Sequence, residues 1–355
     1  MVKIIIGIHG LANKVYPHML KAWWQLCLLS GFKNAGLEPL PFRFELFYWA
    51  DLFYPQPQDP LIEDPEHPLY VPQPFKPIRA RTVPPDLRRK EILDHLEQTF
   101  DKLLRREKIF KGLSELGEKF IEKRFNELYR YLNGKTGYGD ALHRPVREVI
   151  AERFRETLLR HRKDSICLIA HSMGSIIAYD MLYHYDDLPE IDLLLTIGSP
   201  IAQPLLMAKL THHNPIFSKI QTPEKVNRWV NLADLYDLVA INYSLSDDYA
   251  PNSKGVNPVD LLVHNDYRWE GEPNPHSSYG YLQTPECGRL VYEFLTQGKS
   301  PIVVRLQQLA FYWRERLFHT TEKPAALAPT RQEKAGRSVS PPADVEGQIS
   351  RQAGS

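Results

Sequence analysis

One stretch gathers the residue types that nucleophilic chemistry needs: Ile166-Cys167-Leu168-Ile169-Ala170-His171-Ser172-Met173-Gly174-Ser175. An apolar run that reads as a buried strand ends at Ala170, and a pattern that reads as a helix starts straight after Ser172. The turn between them is so short that Ser172 is expected in strained backbone geometry, its hydroxyl raised above the sheet edge. Side chains two places before and after it would strike the neighbouring strand and helix, and those places hold Ala170 and Gly174. A serine hydroxyl is a weak nucleophile until a base takes its proton and a carboxylate orients that base. The plainer alternative is a surface or helix-capping serine.

The Ala-His-Ser-Met-Gly turn resembles the nucleophile elbow of the α/β-hydrolase family, Gly-x-Ser-x-Gly, in a variant found in some lipases. The resemblance implies partners in the chain order Ser, then Asp or Glu, then His. The strand-like run Val226 to Leu232 leads into Ala233-Asp234-Leu235-Tyr236-Asp237-Leu238-Val239, and the loop after this strand is where the family keeps its acid. Asp237, with Val239 two residues on, looks like the Asp-x-Val of lipase-like members. Asp234 sits nearer the strand end and stays a candidate, and the one not used is expected to cap the following turn. Three histidines follow. His264 falls in a strand-like run, and His319 ends the last helix, where a cation suits the dipole. His276 lies in the loop Pro273-Asn274-Pro275-His276-Ser277-Ser278-Tyr279-Gly280 and is the preferred base.

For the oxyanion of acyl transfer, the first expected donor is the backbone N–H of Met173, at the start of the helix after the serine. The sequence Ile8-His9-Gly10-Leu11 closes the first strand and is similar to the family's His-Gly motif. There Gly10 would let the backbone approach closely, and the Leu11 N–H would be the second donor. Leu193-Leu194-Leu195-Thr196-Ile197-Gly198-Ser199-Pro200 also looks like the strand and turn that follow the nucleophile helix in lipase-like members. The resemblance covers about residues 3 to 50 and 144 to 285.

The elements that must position these residues form an alternation. Ile4 to Ile8, Phe42 to Trp49, Ile166 to Ala170, Leu193 to Ile197 and Val226 to Leu232 read as strands, with a weaker one from Val259 to His264. They show little polar alternation, as suits parallel strands covered on both faces. Helices are expected from Pro17 to near Gly31 or Gly36, from about Arg144 to His161, after Ser172, and between Pro200 and Pro223. Such alternation means an open α/β sheet.

Two regions depart from it. Residues 55–85 hold ten of the 29 prolines, which lack the ladder donor, so an extended surface strap is expected. Residues 86–132 are charged and carry Leu93, Leu96, Phe100, Leu103 and Leu104, then Leu113, Leu116, Phe120 and Ile121, at helical spacing. They read as a two-helix insertion with a solvated outer face, or as a cap whose apolar face meets acyl chains. A last helix from Ser300-Pro301 through Phe318 is expected to pack on the core, with peripheral membrane contact as the alternative because Arg305, Arg314 and Arg316 accompany its aromatics. Thr321 to Ser355 has no aromatic residue and is expected to be disordered. The expected organisation is an α/β-hydrolase fold over residues 1–320, a mostly parallel sheet flanked by helices, with a Pro-rich plus helical cap insertion at about 52–140, and a tail from 321.

Composition narrows the rest. Forty-four Lys and Arg against 43 Asp and Glu leave a formal charge of +1, so no global drive toward nucleic acid or an anionic membrane follows. Cys27, Cys167 and Cys287 are too scattered for a disulfide framework or thiolate zinc site, and a reducing cytoplasm fits best. No signal peptide is expected at the amino terminus, and no run approaches a membrane span. His212-His213 and Asp247-Asp248 lack the i, i+4 spacing of helix-borne metal ligands. Gly134-Lys135-Thr136 mimics the end of a P-loop, but Tyr129 stands where its first glycine belongs, and Gly-x-Gly-x-x-Gly is absent around Gly7. The resulting expectation is an enzyme without metal or organic cofactor, acting on a small-molecule or lipid carboxylic ester. The same residues would serve thioesters, amides or acyl transfer, and a catalytically silent scaffold of the same fold is the rival reading.

Overall fold

In the computed structural model, which describes residues 2–104, 122–123, 125–211, 219–240 and 242–318, six strands pair in parallel. They are β1 (Lys3–Ile8), β2 (Arg43–Phe47), β3 (Ser165–His171), β4 (Leu193–Ile197), β5 (Trp229–Ala233) and β6 (Val259–Leu262), in spatial order β2-β1-β3-β4-β5-β6. β1 and β3 lie inside the sheet and pair along the whole of β1, Lys3 opposite Ser165 through Ile8 opposite Ala170. The period of two sends alternate residues to opposite layers. Ile4, Ile6, Ile8, Ile166, Leu168 and Ala170 join the core on one face, and Ile5, Cys167 and Ile169 join that on the other.

The first face is covered by α4 (Val146–Arg160) and α5 (Met173–His184). The second is covered by α1 (Pro17–Asn34) and α8 (Pro285–Thr296). α1 starts on Pro17, whose missing N–H costs nothing at the first helical position. α8, with the short α7 (Ser278–Gln283) before it, lies beyond the elements read from the sequence. Its signal was present: the Thr284 hydroxyl caps by accepting the Cys287 N–H at 3.2 Å, and Pro285 follows. The strand expected from Val226 begins at Trp229, because Val226 makes only an isolated bridge to Ile191.

The proline-rich stretch forms no helix or sheet strand and runs along the surface. It is pinned where Gln283 takes the Ile78 N–H and donates to the Lys76 carbonyl, and where the Tyr267 hydroxyl donates to the Pro74 carbonyl. α2 (Leu87–Leu104) packs Leu93 against Ala233, Leu235 and Tyr243 and leaves Leu87, Ile92 and Leu96 exposed. α3 (Asn126–Leu132) packs Leu128 and Tyr131 into the core. The second leucine repeat of the insertion, at 113–121, lies outside the described residues, as do His212, His213, His319 and the tail from 321. α6 is Pro204–Thr211 and α9 is Pro301–Phe318.

α9 meets the core along part of its length. Among the described side chains, one edge meets the body, where Val304 touches the core and Gln308 donates to the Tyr292 hydroxyl. Ile302, Val303, Leu306, Leu309 and Tyr312 are exposed. The half-buried positions are Val304, Gln307, Gln308 and Phe311. Among the described residues no helix is long and apolar enough to cross a membrane.

Candidate active site

β3 ends at His171 and α5 begins at Met173, so Ser172 alone makes the turn. It sits at φ 52°, ψ −125°, a left-handed conformation costly for any residue with a Cβ. Close approach explains the small neighbours. A Cβ on Gly174 would lie 2.6 Å from the Ile8 carbonyl oxygen, and one on Gly10 would lie 2.8 Å from the Ser172 Cβ. The loop after β1 therefore presses directly on the serine.

The chain from Ser172 runs through two other loops. The Ser172 hydroxyl donates to His276 Nε2 at 2.9 Å, and His276 Nδ1–H donates to Asp237 at 2.8 Å (Oδ2) and 3.0 Å (Oδ1). A carboxylate only accepts, so it settles which ring nitrogen carries the proton. Asp237 is 2 % exposed and its charge is met on all sides. It accepts from the Val239 N–H at 2.9 Å and from the Tyr281 hydroxyl at 2.8 Å.

Asp234 is placed elsewhere. Its carboxylate accepts the N–H groups of Tyr236 (2.8 Å) and Asn265 (2.6 Å), which closes the turn after β5. His264 Nδ1 lies 3.6 Å away from it. Burial, the largest influence, raises the Asp234 carboxyl above its usual range against those two hydrogen bonds. The structure thus brings Ser172, His276 and Asp237 together and puts Asp234 and His264 beside one another. His264 itself lies just past the end of β6.

The base loop is held by groups that sequence reasoning passed over. Asn265 donates its amide to the carbonyls of Pro275 and Ser277, both at 2.9 Å, and Asn274 accepts the His276 N–H at 3.1 Å. His171 Nε2–H donates to the His276 carbonyl at 2.8 Å. Burial first, then the neighbouring His276, pushes the His171 imidazole well below its ordinary range, so it stays neutral.

Across the serine, the loop His9 to Lys14 carries the two remaining candidates, Gly10 and Leu11. His9 stacks on Trp49 with ring centroids 4.7 Å apart and accepts the Trp49 N–H on Nε2. Its Nδ1–H then faces the Gly10 carbonyl at 2.9 Å. Burial drives its pKa down to about 3, so this ring too is neutral. The Lys14 ammonium donates to the Leu11 carbonyl and, at 2.9 Å, to that of Ala12. Burial lowers its pKa to about 8 against the opposing pull of Glu127. Glu127, on α3, accepts both the Ala12 N–H (3.0 Å) and the Tyr54 hydroxyl (2.5 Å). Among the described residues, neither the Leu11 N–H nor the Met173 N–H has a protein acceptor.

Ser172 and His276 open into a cavity of about 550 Å³. Leu11, Leu20, Trp24, Phe125 and Tyr279 supply apolar wall, and Asn13, Gln58, Gln73 and Asn274 supply polar wall. Two stretches of the insertion, around Gln58 and Gln73 and at Phe125 and Glu127, thus line the same space as the serine. Among the described residues no group of three His, Cys, Asp or Glu side chains is placed to hold a metal ion.

A parallel sheet with a strained serine at the end of a central strand sets the context for comparison with known proteins. Residues 129–253 match a family described as the PGAP1-like alpha/beta domain, within the α/β-hydrolase superfamily. The chain carries an α/β-hydrolase fold. No curated protein matches it. The matched stretch runs from within α3 past β5, so it contains Ser172, Asp234 and Asp237 and ends before His276. The family match supports a hydrolase-type function.

Proposed function

We propose that the protein is a serine hydrolase that cleaves a carboxylic ester through an acyl-enzyme. The observation that carries the reading is the unbroken hydrogen-bond chain from Ser172 through His276 to Asp237. In this mechanism Ser172 Oγ attacks the ester carbonyl as His276 Nε2 takes its proton. The proton is then given to the departing alcohol oxygen as the C–O bond breaks. Water enters by the same route, His276 acting again as base, and the carboxylic acid leaves. Asp237 keeps the proton of the resting imidazole on Nδ1 and stabilises the imidazolium. The N–H groups of Met173 and Leu11, with Gly10 allowing the approach, bind the oxyanion. Removing a donor of this kind costs about 10²–10³ in kcat.

The apolar wall of Leu11, Leu20, Trp24 and Phe125 suits an acyl chain. The test is Ser172→Ala with circular dichroism confirming the fold. Turnover of p-nitrophenyl esters should vanish, and a fluorophosphonate should label Ser172 in the native protein only. Undiminished hydrolysis by the variant would defeat the proposal. A series of rising chain length then reports the depth of the acyl pocket, with long chains preferred by a lipase and short ones by an esterase.

A further inference from the structure

Tyr281 has no place in the sequence-derived chemistry, yet among the described residues no side chain apart from His276 is closer to Asp237. It is fully buried on α7. Its hydroxyl accepts the Asp234 N–H at 3.0 Å and donates to Asp237 Oδ2 at 2.8 Å, the same oxygen that accepts the hydrogen bond of His276 Nδ1–H. The ring lies over Gly198, at the end of β4. A Cβ there would come within 2.9 Å of both the Tyr281 ring and Asp237 Oδ2, and 3.2 Å from His276 Nδ1. Gly198 also has φ 53°, so two requirements exclude any other residue at that point. His171 closes the far side, with ring centroids 6.5 Å apart.

The titratable groups facing the hydroxyl are therefore Asp234, Asp237, His276 and His171. Burial first, then the charges of Asp237 and Asp234, raises the phenol well above its usual range, so it remains an O–H donor.

We infer that Tyr281 is a positioning residue for the proposed reaction, setting how much negative charge Asp237 presents to His276 by donating to the oxygen they share. The inference rests on the serine-hydrolase reading above. The chain Asp234 N–H to Tyr281 O–H to Asp237 spreads the carboxylate charge. Without the phenolic donor, that charge would act more fully on the imidazole and favour its protonated form. A base held protonated is no base, so activity would need higher pH.

The test is the rate at which a fluorophosphonate labels Ser172 between pH 5 and 9. This reaction forms the Ser172 Oγ–P bond, expels fluoride and passes the serine proton to His276, so it reports the base without requiring the natural substrate. In Tyr281→Phe the labelling rate near pH 6 should fall about threefold, because more of His276 is protonated there. The acid limb should also move up by roughly half a pH unit or more. A residue that merely fills space would leave that limb in place. 3-Fluorotyrosine installed at 281 keeps the shape and donates more strongly, so it should move the limb down, and it decides the matter if the phenylalanine variant does not fold. Native protein that is labelled, with limbs unchanged in the folded variants, overturns the role of Tyr281 alone. Native protein that is never labelled overturns the serine-hydrolase reading, and this inference with it.

Discussion

The two sides of Ser172 are anchored in different ways. The acid and base side is fixed from within the sheet body. Asp237 is met by its own loop amide and by Tyr281 of α7, and His276 is held by Asn265, Asn274 and His171. The side proposed to bind the oxyanion depends on the insertion, since Glu127 of α3, itself held by the Tyr54 hydroxyl, accepts the Ala12 N–H, while Lys14 and the His9–Trp49 stack hold the remainder. α2 touches the acid loop only from outside, where Arg89 donates to the Leu235 carbonyl at 2.6 Å and stacks over the Tyr236 ring. Under the proposed mechanism, the proton-transfer groups are therefore held by the sheet body and the loops and short helix beside it, and the loop of the oxyanion donors is held in part by the insertion.

The comparison can be broken most sharply at the two carboxylates. Asp237→Asn should lower kcat by about 10⁴ with the fold intact, because the amide no longer imposes the productive tautomer. Asp234→Asn should stay within about threefold of native turnover while losing thermal stability, its role being to close a turn. Steady-state kinetics on the pair decides, and the opposite ranking would exchange their roles.

Acid stability is the next largest effect. His9 folds with a pKa of about 3, against an unfolded value near 6.5. At pH 7 both states are neutral. Below pH 6.5 only the unfolded chain takes the proton, so stability falls as the pH drops from about 6.5 toward 3, by on the order of 4 kcal/mol from this group. His171, shifted the same way, steepens the loss. Denaturant midpoints at pH 7 and 4 should show it, and His9→Gln should flatten the slope. Equal slopes in the two proteins would mean that the ring is not buried neutral.

The oxyanion side is probed by Glu127→Ala, which frees the Ala12 N–H and the Tyr54 hydroxyl. We expect kcat/KM about tenfold lower, or roughly 1.4 kcal/mol, with the acid limb of the pH profile unmoved. A moved limb would show that the insertion acts on the base as well, and the contrast between the two sides would fail. The smallest effect belongs to the exposed face of α9, where Leu306→Gln should change stability by no more than about 0.5 kcal/mol. A larger loss would mean that the leucine is covered in solution.

Much of the frame was legible in the chain. Buried runs such as Ile4 to Ile8 and Leu193 to Ile197 stand out because a parallel strand covered on both faces must be apolar throughout. The strained serine was legible too, since a strand running directly into a helix leaves only one residue to turn. α8 was missed although Thr284-Pro285 announces it, and the leucines of α9 say that it has an apolar face but not which way that face turns. Tyr281, Asn265 and Glu127 gave no local signal. A tyrosine in a short helix looks the same whether its hydroxyl meets water or a buried carboxylate 44 positions away.

What the order of residues determined by itself is therefore the part governed by neighbours along the chain: strand and helix periods, the cramped turn at Ser172, and the small residues on either side of it. What only the tertiary structure decided is which distant groups share a hydrogen bond. Asp237 and Asp234 are three positions apart in one loop, and they differ because the path of the backbone aims one at His276 and turns the other back onto the amides of Tyr236 and Asn265. Hydrogen bonds act over about 3 Å, and whether two side chains come that close depends on the path of all the chain between them.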